Sequence, residues 1–281
     1  MFETRSRRLW PWLAVAVFAL HSGAIAQRTP PPPPVAAATF ADLAGLTEQA
    51  DVVALVEVRD QAQVEPERAP GLAPGHARLY IEARTQGLLA GRSALGESLA
   101  YLVDVPLNAK GKAPKLEKQR FLIYADAVPG RPGELRLVGP QVPANVPTEE
   151  LARTVIAAFA APDAPPAVTG VRDVMSVPGN LVGESETQLF LNTASGEPVS
   201  LTVIRRPGME PTWGVSWSEI VDQSARPPAP ATMEWYRLAC FLPADLPGGA
   251  FLQSDSRSRR LATEDYRYIL QQLGPCPRTR S

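Results

Sequence analysis

The chain has 281 residues, a formal net charge of −1, 20% charged residues and 45% hydrophobic ones. That balance belongs to a folded chain long enough for two domains; it excludes an intrinsically disordered protein and gives no general attraction to nucleic acid or anionic lipid. Thirty prolines are about twice the average usage, so stiff loops are expected to outnumber long helices.

Residues 1–26 read as an export signal. Arg5, Arg7 and Arg8 precede the apolar run Leu9–Leu20, and Ala24-Ile25-Ala26 places small residues for cleavage before Gln27. The run is shorter than the roughly 20 residues a spanning helix needs, so no stable membrane anchor is expected after cleavage. Losing three Arg and one Glu with the signal moves the charge to about −3. The expected location is the periplasm or the exterior. Pro30–Pro34 then form a polyproline spacer, and residues 27–38 are read as a linker.

Thr39, with Asp42 three residues on, caps a short helix carrying Phe40, Leu43 and Leu46. Five β-rich runs follow, at residues 51–58, 77–84, 99–105, 120–127 and 134–138, each bounded by Gly, Pro or Lys-rich turns. Gly87 and Gly91 bracket Leu88-Leu89, the mark of a bend or bulge. Five short strands in about 90 residues imply a small barrel. The order Thr47-Glu48-Gln49-Ala50-Asp51-Val52-Val53-Ala54-Leu55-Val56-Glu57-Val58, an alternating strand, Leu88-Leu89-Ala90-Gly91, and Gln119-Arg120-Phe121-Leu122-Ile123-Tyr124-Ala125 resembles the netrin-like, TIMP-type OB barrels of exported bacterial proteins. The resemblance covers residues 51–138 and implies a barrel. It implies no activity, because such folds host unrelated functions.

A helix capped at Thr148 carries Leu151, Val155 and Phe159 and stops at Pro162. The boundary between domains 39–145 and 146–281 is placed there. Val168–Val177 fits either a strand or a helical turn, with Gly170 and Pro178-Gly179 favouring the strand. Gln188–Ile220 then reads as an antiparallel meander. Val199, Leu201 and Val203 share one face, Trp213, Val215 and Trp217 share another, and Pro207-Gly208 suits a type II turn. A helix over about 231–242 and a final one capped at Thr263, with the stripe Tyr266, Ile269, Leu270 and Leu273, complete the chain. Cys240 and Cys276, an even pair in an exported chain, are expected to form a disulfide. The fold class is therefore α+β: a five-stranded OB-like barrel, then a meander with two packed helices and a disulfide.

Chemistry is sparse. His21 leaves with the signal and His76 sits in a Gly/Pro loop, so neither a His-based triad nor a His metal site can be assembled. Phosphate-cradling glycine motifs are absent and no cofactor is indicated. Lys110, Lys112, Lys115 and Lys118 read as a solvated loop. Two groups remain. Outward-facing Trp213 and Trp217, with Arg205 and Arg206, would make an aromatic platform for a glycan or peptide; inward-facing, the tryptophans fill the core. Glu184 or Glu186 would serve a carboxylate-based glycosidase. The leading expectation is a non-catalytic binding or interaction protein of the cell envelope, recognising another envelope protein, a peptide or a glycan; the alternative is the hydrolase.

Overall fold

The computed structural model describes residues 1, 37–91, 95–218 and 225–279. Apart from Met1, the expected signal, nearly all of the linker, and Ile220 lie outside the described residues. Helix α1 (Phe40–Gln49) begins with a capping box in which Thr39 and Asp42 satisfy each other's backbone N–H groups. Losing such a cap costs about 1 kcal/mol. Strands β1 (Val52–Gln63), β2 (His76–Gly91), β3 (Ser98–Pro106), β4 (Arg120–Ala127) and β5 (Glu134–Leu137) follow. Their order is β1-β2-β3-β5-β4, and β1 also pairs with β4, closing a five-stranded barrel; β3 and β5 are parallel and the other pairs antiparallel. The short β6 (Val142–Pro143) extends the sheet beside β4.

The near-continuous apolar run that opens β1 is explained by burial on both faces. Val52, Ala54, Val56 and Val58 fill the barrel interior, whereas Val53 and Leu55 join a second core outside it. The bulge foreshadowed by Gly87 and Gly91 is present: Val53 pairs with Ala90 and Ala54 with Leu88, skipping Leu89. Extra residues of this kind bend a strand and help a small barrel close.

Helix α2 (Val146–Ala160) starts one residue before a proline, with Asn145 rather than Thr148 as its cap. Asn145 Oδ1 accepts from Thr148 N at 3.0 Å, and Thr148 occupies the third helical position. The ambiguous segment is a strand, β7 (Val168–Pro178), and it leads into β8 (Ser185–Thr193), β9 (Val199–Arg205) and β10 (Thr212–Ser216). These form a four-stranded antiparallel meander, ordered β10-β9-β8-β7. The β9–β10 turn has the expected form: Met209 N donates to Arg206 O and Gly208 has φ 72°.

Helix α3 (Met233–Ala239) is capped by Thr232, and α4 (Ser256–Leu273) by Asp255, two turns earlier than Thr263. Thr263 is an interior residue whose hydroxyl bonds Arg259 O. Gly274, at φ 70°, ends the helix, and Cys240 is joined to Cys276. Ala36–Ser281 form one compact unit, and a single hydrophobic core runs through both halves of it. Leu43 of α1, Leu122 and Tyr124 of β4, Val155 of α2, Leu189 and Leu201 of the meander, Tyr236 of α3 and Ile269 of α4 all belong to it.

Arg237 fastens that junction. Nine-tenths buried, it bonds Glu48 of α1 and the Pro165 carbonyl, and its guanidinium lies 5.3 Å from the Phe159 ring. Tyr236 adds a hydrogen bond to Glu48, and burial, then the Glu48 charge, push its hydroxyl up to about 12.

Candidate functional site

The meander has two unlike faces, set by the alternation of its strands. Val174 and Ser176 of β7, Thr187, Leu189 and Leu191 of β8, and Val199, Leu201 and Val203 of β9 are buried on the face that α4 covers. That inner face holds a polar cluster at one end. Arg205 and Thr187 both bond Asp265 of α4, which is fully buried, and Ser176 Oγ lies 2.8 Å from Thr187 Oγ1. Burial holds the Asp265 carboxyl above its ordinary value; the bonds from Thr187 and Arg205 oppose this without reversing it.

The outer face is divided. Over β9 and β10 it is covered where the chain at 225–226 crosses Gly214: a Cβ there would lie 2.2 Å from the Ala225 carbonyl. Thr202, paired with Gly214, and Ser200, paired with Ser216, are buried on this part of the face. The outer face of β7, β8 and the end of β9 is open. Two transverse rows cross it, Met175–Gln188–Thr202 and Val177–Glu186–Ile204, fixed by the register of the three strands. All of these but the buried Thr202, with Pro178, Gly179, Glu184 and Ser185, line a concavity of about 360 Å³, near the lower end for sites that take small ligands. Val177 in its lining is 46% exposed, and Leu181 and Val182 of the adjoining β7–β8 turn are 63% and 96% exposed.

The carboxylates of this concavity are positioned locally. Gly179 and Glu184 close the β7–β8 turn through Gly179 N to Glu184 O at 2.8 Å, and Leu181 N donates to Glu184 Oε2 at 3.2 Å. The Glu184 side chain folds back so closely that a Cβ on Gly179 would meet it at 2.3 Å. Glu186 Oε1 accepts from Gln188 Nε2 at 2.7 Å, the two being neighbours on one strand face. Ser185 closes the strand end, buried, with its hydroxyl unpartnered among the described residues.

The four residues expected to form a platform do not meet on one surface. Trp213 pairs with Val203 and is 5% exposed, so its ring fills the core and offers no outward stacking face. Trp217 is half-buried against the same core. Arg205 turns inward to Asp265, and Arg206 is exposed on the next turn. His76, expected in an exposed loop, heads β2 half-buried, with Nδ1 3.2 Å from Pro74 O. Glu197 lies at the opposite end of the meander from Glu184 and Glu186, bonded to Ser195. Among the described residues no group of three His, Cys, Asp or Glu side chains could hold a metal ion. Asp265 was missed although a signal exists: it is an acid set among Ala262, Tyr266 and Ile269 on the apolar stripe of α4. No protein family and no curated protein matches the chain.

Proposed function

We propose that the protein is an exported, non-catalytic binding protein of the cell envelope that recognises its partner through the open outer face of β7, β8 and β9. One observation carries the reading: over β10 the outer face is crossed by the protein's own chain, while over β7 and β8 it is a concavity with exposed Val177 in its lining and exposed Leu181 and Val182 in the adjoining turn. Apolar side chains grouped beside a depression mark interaction surfaces. Export rests on the basic and apolar pattern of residues 1–26, and the Cys240–Cys276 disulfide is consistent with an oxidising compartment. The closed β1-β2-β3-β5-β4 order supports a kinship of residues 51–138 with netrin-like barrels, which then act as the support for the meander.

A photo-crosslinking residue placed at Val177 of the exported protein tests this. The expected result is one defined adduct in the envelope, absent when the same residue replaces Tyr80 on the barrel exterior. No adduct at Val177, or the same adduct at both positions, defeats the proposal. A second reading is favoured by one fact: Glu184 and Glu186 line the same concavity. If the mature protein cleaves reporter glycosides and Glu186→Gln abolishes the cleavage, hydrolysis replaces binding as the function.

A further inference from the structure

The partner chemistry can be read from what the concavity lacks. Apart from the buried Ser185 hydroxyl, its polar side chains are two carboxylates and the Gln188 amide, whose Nε2 is engaged with Glu186. Glu184 uses Oε2 on Leu181 N, and Glu186 uses Oε1 on the Gln188 amide group. The remaining oxygen of each carboxylate and Gln188 Oε1 have no partner among the described residues. No Lys or Arg lines the depression. The cation nearest in register, Arg205, lies opposite Ser185 but is committed to Asp265 on the other face of the sheet. An anionic group entering here would meet two carboxylates and no counter-charge.

The remaining walls are Met175, Val177, Pro178 and Ile204. They suit an aliphatic stem, which lysine and arginine lay along apolar surface while directing their charge elsewhere. An ammonium or guanidinium supplies several N–H donors and no acceptor, the complement of this oxygen set. The concavity is large enough for one such side chain, and exposed Leu181 and Val182 in the adjoining turn would meet apolar neighbours on the same strand of partner. Resting on the reading of this face as a binding face, we infer that its ligand is a peptide segment of a partner protein presenting a lysine or arginine between apolar residues.

The test uses mature, isotopically labelled protein titrated with a leucine–lysine–leucine peptide, its Nε-acetyl-lysine and glutamate counterparts, and n-butylamine. The lysine peptide is expected to shift the amides of Val177, Glu186 and Ile204. Acetylation of the peptide, or Glu186→Gln in the protein, should weaken it about tenfold, the loss of one charge-assisted hydrogen bond. Glu186→Gln keeps an oxygen for the Gln188 amide, so the strand face survives. Gly179→Ala provides a second variant: it displaces the Glu184 carboxylate without altering charge, and should also weaken binding. If the acetylated or glutamate peptide binds as tightly, or Glu186→Gln has no effect, the cationic assignment is overturned while the binding face stands. Equal affinity for n-butylamine overturns the assignment to a peptide. If no probe moves these amides and Val177 yields no crosslink, face and ligand fall together.

Discussion

Replacing both Cys240 and Cys276 by Ser opens a loop closed over 36 residues of sequence. The chain-entropy relation gives a loss of about 4 kcal/mol at 25 °C for a loop of that length. That is a large part of the ~5–15 kcal/mol by which domains are stable. The structure adds a local term. The residues after Cys276 are held across the start of α1: Thr39 Oγ1 donates to Pro277 O at 2.8 Å, while Thr279 N and Oγ1 donate to the two Asp42 oxygens at 2.9 and 2.7 Å. With Cys276 free, the tail is left to non-covalent contacts such as these. The double variant should therefore keep the parent's far-ultraviolet spectrum, melt about 8–16 °C lower, and exchange the amides around Asp42 faster. Urea titration of oxidised parent, reduced parent and variant supplies the measurement. The last two should coincide. A midpoint for the variant within about 1 kcal/mol of the oxidised parent would refute the reasoning, since the crosslink would then constrain nothing that unfolding releases.

Arg237→Ala should cost about 1–3 kcal/mol in the same titration, because it leaves the buried Pro165 carbonyl without its donor, while the exposed Glu48 is solvated and keeps Tyr236; Arg237→Lys should restore part of this and no more, lacking the planar fork. Gly214→Ala should destabilise by about 1–3 kcal/mol, since its methyl would occupy the path of residues 225–226 and the obstacle is backbone that cannot rotate away. For Asp265, burial raises the folded-state pKa above the unfolded one. The folded protein thus binds that proton more readily, so the contribution is fully present below the unfolded pKa of about 4 and is lost as pH rises through the folded value. The stability of the parent minus that of Asp265→Asn should fall as pH rises above about 4 in urea titrations. A difference that stays flat or rises with pH contradicts it.

Where one periodicity ran uninterrupted, the elements of the chain were readable. Apart from the far ends of β1 and β2, the barrel strands and the meander were placed within a few residues, and Thr39, the Pro207-Gly208 turn and the cysteine pair behave as their local chemistry demands. Elsewhere the pattern was blurred for identifiable reasons. In β7, Val171 and Val174 are three apart yet both buried, because the register slips between Val171 and Asp173; such a slip imitates a helical turn. The start of α4 was missed because Ser256–Arg260 contains no apolar residue, and the turn depends on Asp255 accepting from Ser258 N at 2.8 Å. β1 runs past Val58 through largely exposed residues and β2 past Arg84 through exposed and half-buried ones, with no fully buried position to mark an alternation. For the site, alternation placed Trp213 with Val215, but nothing local tells which face a helix will cover. That choice is made by α4, whose Asp265 receives Arg205. Glu184 and Glu186 were singled out for their chemistry; only the cross-strand register brings Val177 and Ile204 beside them.

The contact of Thr279 with Ala37, at 3.4 Å, and with Asp42 has an engineering consequence. A short peptide joining 279 to 37 would make the folded body a closed ring, and the chain could then be cut at Ser195-Gly196, a hairpin tip remote in register from the concavity. Such a permutant should fold with its recognition face unchanged, while any label or carrier attached at the new ends would emerge from the far side of the meander.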